Sequence, residues 1–149
     1  AGRLYRNAIA WQPSAWEPVL GLCRIAVREA QLETDPARRS ERIDTAIRQC
    51  EAGVRRNPRE PGFEHLLSQL YGMKGDPARA LALLEKLVAD HPNRPFFRVR
   101  LGLQLERMGR LPEAADALRK TLAMDGSDLT ARRCLRVIEL RLAKPSPTK

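Results

Sequence analysis

Histidine, cysteine and aromatic side chains are scarce in this chain. Its 149 residues include two His and three Cys, and only 5% are Phe, Trp or Tyr. Cys23, Cys50 and Cys134 form no Cys-x-x-Cys pair, and His65 and His91 lie at no ligand spacing from them. A metal site is therefore not expected. The odd cysteine count leans toward a reducing, cytoplasmic compartment. A Cys23–Cys50 disulfide within one hairpin is left open. Ser40, Ser68 and Ser127 lack the sharp-turn context of a nucleophile, and no Gly-rich phosphate loop is present. With no convergent catalytic set, neither an enzyme nor a cofactor is expected. No apolar run approaches the ~20 residues of a membrane span. Acidic residues are also few, 18 against 27 Lys and Arg, for a net charge of +9. That balance attracts acidic partners without defining a fold. Sparse aromatics argue against RNA binding, which needs rings on which bases can stack.

What is present is a repeat. Pro61, Phe63, Leu67, Gly75, Ala80, Leu84 and Lys86 recur 34 residues later as Pro95, Phe97, Leu101, Gly109, Ala114, Leu118 and Lys120. A period of this length signals stacked supersecondary units. Within 61–94, Leu66, Leu67, Leu70 and Tyr71 form a helical stripe that stops at Gly75. Asp76-Pro77 then caps and opens a second helix through Ala80, Leu81, Leu84 and Leu87, ending near His91-Pro92. Residues 95–128 repeat the plan, with Gly109 as the stop and Pro112 opening the second helix. Ala80 and Ala114 mark close approaches between paired helices. His91 is expected in an exposed turn.

This pattern resembles the tetratricopeptide repeat (TPR) family. Leu67 and Leu101 fit the seventh consensus position, Tyr71 and Leu105 the eleventh, and Gly75 and Gly109 the fifteenth. Ala80 and Ala114 fit the twentieth, Leu84 and Leu118 the twenty-fourth, and Pro92 the thirty-second. The fourth-position Trp is absent; Phe63 and Phe97 stand one residue earlier. Gly102 fits the small eighth position and Ser68 substitutes there. The resemblance implies an all-α fold, a right-handed superhelix of antiparallel helical hairpins, with about three repeats plus terminal helices.

The register breaks at three places. Ala1, Tyr5, Ala8 and Pro13 match second-helix positions, so 1–13 reads as the second helix of a truncated repeat, in a fragment of a larger, bacterial protein. A native N-terminal cap is the rival reading. Residues 14–60 form an elongated repeat, in which Pro13 and Pro58 stand 45 residues apart, 11 over the period, with either Leu20 or Leu22 in the seventh position. Ala30, Ala37 and Ser40 would let its arms meet near the tip. Residues 61–94 and 95–128 are regular repeats, 129–143 reads as a capping helix, and 144–149 as a disordered tail.

By the same resemblance, the first helices line a concave groove. Its positions fall on His65, Gln69 and Met73, then Phe96, Arg100, Leu103 and Arg107, and finally Arg133, with Leu66 and Val99 beside them. An apolar floor with an Arg-rich rim suits a protein or peptide carrying acidic groups. Chaperone-tail clamps of the family use Asn and Lys where this chain has Leu66 and Phe96; only Arg100 fits, so that activity is not expected. The leading function is a protein-interaction scaffold. The alternative is an accessory domain of a bacterial envelope or glycan-assembly enzyme, which would be periplasmic if transmembrane helices lie upstream. Leu4, Tyr5, Ile9 and Trp11 would form an apolar strip on the first helix that favours self-association.

Overall fold

The computed structural model describes residues 2–11 and 15–143; within the first stretch the side chains of 5 and 8–11 are not described. The readings placed on Ala1, Tyr5, Ala8, Ile9, Trp11, Pro13 and the 144–149 tail lie outside the described residues. Among the described residues there are eight helices: α1 (Gly2–Trp11), α2 (Glu17–Leu32), α3 (Pro36–Arg56), α4 (Pro61–Lys74), α5 (Pro77–Asp90), α6 (Pro95–Arg107), α7 (Leu111–Met124) and α8 (Leu129–Leu142). None is long and apolar enough to cross a membrane. The chain divides into two compact units, residues 1–83 and 84–149.

Local chemistry sets the helix ends. Pro occupies the first positions of α3, α4, α5 and α6, where its missing N–H costs nothing. Asp35, Asp76 and Asp128 accept hydrogen bonds from Arg38 N, Arg79 N and Ala131 N at 2.8, 3.0 and 2.8 Å, satisfying donors that the helix leaves open. Gly75 and Gly109 hold φ of +86° and +75°, the left-handed region that glycine enters cheaply. The chain then turns so that Asp76 N reaches Tyr71 O and Arg110 N reaches Leu105 O, both at 2.9 Å.

In the first unit, α2 and α3 run 16 and 21 residues against 14 in α4. The added length extends both arms of one hairpin. Near its tip, Arg42 of α3 bridges to Glu29 and Glu33 at 3.3 and 3.0 Å. Ala30 is buried there, but Ala37 and Ser40 are exposed, so the ion pairs rather than small residues join the arms at the end. Below the tip, Val27, Ile43 and Ile47 pack with Phe63, Leu67 and Leu70 of α4. Burial of each such side chain contributes about 1.5–3 kcal/mol. Of the two leucines open to the seventh position, Leu20 is buried and Leu22 half-buried. Gly53 of α3 faces the Phe63 ring so closely that a methyl group there would sit 2.3 Å from Cε1. Tyr71 donates to Glu51 at 3.1 Å, and Lys74 pairs with Asp44 at 2.7 Å, so α4 is tied to α3 by polar contacts as well. The buried Ser68 hydroxyl donates to His65 O at 2.7 Å, which explains a polar residue at a small core position. Leu4 of α1 is exposed.

Cys23 and Cys50 face one another across α2 and α3, fully buried and unbonded as thiols in hydrogen-bonding contact. The contact with Cys23, together with burial, pushes the Cys50 thiol well above its ordinary range.

In the second unit, Leu84, Leu87 and Phe97 form a cluster with Val88 and Leu101. His91, expected to be exposed, is half-buried with its ring 5.6 Å from that of Phe97. Gly102 of α6 lets Leu118 of α7 approach, since a methyl at 102 would meet Leu118 Cγ at 2.9 Å. Ala114, Ala115 and Ala117 of α7 are buried, and Ala114 O also lies beside Gly102. Ala131 and Ile138 of α8 are fully buried, and two ion pairs fix its outer end: Arg119–Glu139 at 2.7 Å and Arg141–Glu106 at 2.9 Å.

Candidate functional site

α6 places two phenylalanines in succession. Successive helical residues are turned by about 100°, so when Phe97 enters the core Phe96 cannot. Phe96 is 49% exposed, its ring edge-on to Phe97 at 5.5 Å. One turn later, Arg100 lays its guanidinium over the Phe96 ring, 5.1 Å from the centroid, a cation–π contact. Leu103 follows one further turn along the same face. These side chains form the floor of a cavity of about 600 Å³. Asn93, Arg94 and Pro95 at the start of α6, Asp125 and Asp128 of the α7–α8 turn and Thr130 of α8 complete its lining. A volume of this order is enough for one or two ligand side chains.

The charges around the cavity differ in origin. Burial, and the neighbouring Arg107, press the Arg100 guanidinium below its ordinary value. Among the described residues no carboxylate pairs with Arg100. Asp125 is held below the usual carboxylate range by hydrogen bonds from the Ser127 hydroxyl and backbone N–H, at 2.6 and 3.0 Å. Asp128 caps α8.

A second cavity of about 550 Å³ lies against the other side of α6, floored by Val88, Leu101, Leu105 and Ala117. Its charges largely cancel: Glu113 is bound by Arg110 at 2.6 Å and Asp116 by Lys120 at 2.7 Å. The Phe96–Arg100 cavity holds the cation without a counter-ion and is the better candidate. Among the described residues no cluster of three or more His, Cys, Asp and Glu could hold a metal ion.

The expected groove residues distribute as follows. Phe96, Arg100 and Leu103 line one cavity. Arg107 is exposed and acts on Arg100 through its charge. Arg133 is exposed on α8 and does not line the cavity. His65, Gln69 and Met73 lie half-buried on α4, with Gln69 Nε2 2.7 Å from His65 Nε2. Leu66 and Val99, placed beside the groove, are core residues. Asp125 and Asp128 escape the sequence reading, because that reading takes groove positions only from first helices. The available signal is Asp128-Leu-Thr-Ala, a capped helix start immediately after a turn.

Residues 66–94 match the family model for the tetratricopeptide repeat. No curated protein matches the chain by sequence. Solved structures match it in quantity, 139 chains in all, which makes the fold a common one and leaves function to the site. A thermophilic TPR protein of Thermus thermophilus superimposes with a TM-score of 0.86 at 24% identity, over 94% of this chain and 72% of that one. MamA gives 0.72 at 17% identity, over 95% and 76%. The first TPR of Spaghetti (RPAP3), bound to the HSP90 peptide SRMEEVD, gives 0.63 at 19%, over 82% and 94%. Helical hairpins capped by Gly75 and Gly109, one repeat that matches the family model by sequence and structural neighbours of the same kind together give this chain the tetratricopeptide repeat fold.

Proposed function

We propose that the chain is a protein-interaction module that holds an extended peptide segment across the Phe96–Arg100–Leu103 face of α6. The observation that carries this reading is Arg100: a partly desolvated cation, stacked on a half-exposed ring at a cavity floor, with no counter-ion among the described residues. Holding an unpaired charge out of water is unfavourable, so a ligand carboxylate there recovers energy that water supplies poorly. Phe96 and Leu103 offer the apolar anchor for a neighbouring side chain. One structural neighbour holds a short peptide with several acidic residues, which accords with a peptide ligand. Leu66 and Phe96 stand where that use of the fold would place Asn and Lys, so the ligand here is an internal segment rather than a chain terminus.

The test is fluorescence anisotropy with labelled peptides carrying a carboxylate beside a leucine or phenylalanine. Arg100→Met retains the stem and removes the charge. Loss of a charge-assisted hydrogen bond, about 1.5–3 kcal/mol, should weaken binding by roughly 10- to 100-fold. Binding that is unchanged in both Arg100→Met and Phe96→Ala would remove this face from consideration.

A further inference from the structure

We propose that this cavity selects a dipolar segment: an apolar side chain with a carboxylate on the Arg94–Arg100 side and a cation on the Asp125–Asp128 side. The inference rests on the peptide-binding reading and narrows it, because the chain's net charge of +9 would by itself call for a purely acidic ligand.

Charges of both signs line the same cavity and come from different elements. Arg94 precedes α6 and Arg100 lies on it, with Arg107 adding positive potential beside Arg100. Asp125 and Asp128 belong to the α7–α8 turn. Opposite charges sharing a cavity would ordinarily collapse onto one another, yet none of these four makes an ion pair among the described residues. Three of the four are engaged elsewhere. Arg100 is stacked over Phe96. Asp128 Oδ1 accepts from Ala131 N, and both Ser127 bonds to Asp125 fall on Oδ1. Each carboxylate thus keeps Oδ2 as an acceptor, and a carboxylate can take several donors at once. The turn thus brings spare negative acceptors to the same cavity as a cation with spare donors.

A ligand with two carboxylates would gain at Arg100 and be repelled at Asp125 and Asp128. One with two cations would meet the reverse. A segment with one of each, flanking an apolar residue that covers Phe96 and Leu103, satisfies both walls. Complementarity of this kind selects partners more than it raises affinity.

The experiment compares labelled short peptides that differ only in the two residues flanking a central leucine: Glu and Lys, Lys and Glu, Glu and Glu, or Lys and Lys. The expected result is that one mixed peptide binds about fivefold more tightly than the doubly acidic one at moderate salt. Asp125→Asn keeps an acceptor for Ser127 and should shrink that gap, while leaving affinity for the doubly acidic peptide equal or improved. Equal or tighter binding of the doubly acidic peptide by the unaltered protein, with sensitivity to Arg100→Met, overturns the dipolar inference and leaves peptide binding standing. Absence of binding by every peptide overturns both.

Discussion

Replacing Gly53 by alanine adds one methyl group to the middle of α3. In an open helix that change is favourable by about 1 kcal/mol, because alanine loses less backbone entropy. Here the new Cβ would lie 2.3, 2.4 and 2.9 Å from Cε1, Cδ1 and Cζ of Phe63. Phe63 is fully buried among α2, α3 and α4, so its ring has no open space to enter. Relief must come from moving α4 against α3, at an overpacking cost of about 1–3 kcal/mol. For three contacts this short the upper end applies, and the net effect is a loss of about 1–2 kcal/mol. With a urea slope of about 2 kcal/mol per molar, the unfolding midpoint followed by far-ultraviolet circular dichroism should fall by about 0.5–1 M. Phe63→Leu removes the offending ring edge, so Gly53→Ala should cost less in that background, with a coupling of at least about 1 kcal/mol. A Gly53→Ala protein as stable as the parent, or strict additivity with Phe63→Leu, would refute the argument that the glycine exists to admit the ring.

Four further outcomes follow from the same structure. Gly75→Ala forces a side chain into a left-handed φ of +86° and should cost about 1 kcal/mol, although open space surrounds the position; hydrogen exchange of Asp76 should rise with it. In the native protein a thiol reagent should label the half-buried Cys134 first, while Cys23 and Cys50 react only as fast as the hairpin opens; equal rates at all three would contradict their burial. Glu33 is held below the usual carboxylate range by the Asp35 N–H, Arg42 and the Thr34 N–H. A depressed value in the folded state means its stabilisation is full above the ordinary carboxylate range and is lost as pH falls through the folded value. Protection factors against hydrogen exchange at residues 33–35, taken relative to the intrinsic rate at each pH, should therefore fall on acidification in the parent but not in Glu33→Gln. Glu106→Gln should loosen the outer end of α8 and cost at most about 1 kcal/mol, an effect that vanishes at high salt if the Arg141 pair is its cause.

The hairpins were legible because their determinants are local and repeated. Gly75 and Gly109 announce the left-handed turns, Asp76-Pro77 the capped start that follows, and the leucine spacing the buried stripe. The longer arms of α2 and α3 were legible as surplus length, but the Arg42 bridge at their tip was not, since it depends on which faces meet. The candidate site was half legible. Phe96, Arg100 and Leu103 share a helical face that spacing alone reveals. Val99 and Leu66 look equally apolar on paper and go inward, because a stripe's edge cannot be placed without its partner helix. Asp125 and Asp128 join the cavity through the α7–α8 turn, and a turn's direction is a tertiary outcome.

Among the described residues, the helices in contact within each unit are neighbours along the chain or next but one: α1 with α2, α2 with α3, α3 with α4 and α2 with α4 in the first; α6 with α7, α7 with α8 and α6 with α8 in the second. Even the Arg141–Glu106 bond closes a loop of only 35 residues. Chain closures this short carry little entropic cost, so assembly should be fast and can begin at whichever hairpin is synthesised first. On a ribosome, α2–α3 can pack before α7 exists. A residue lost at one end then delays only the hairpins beside it.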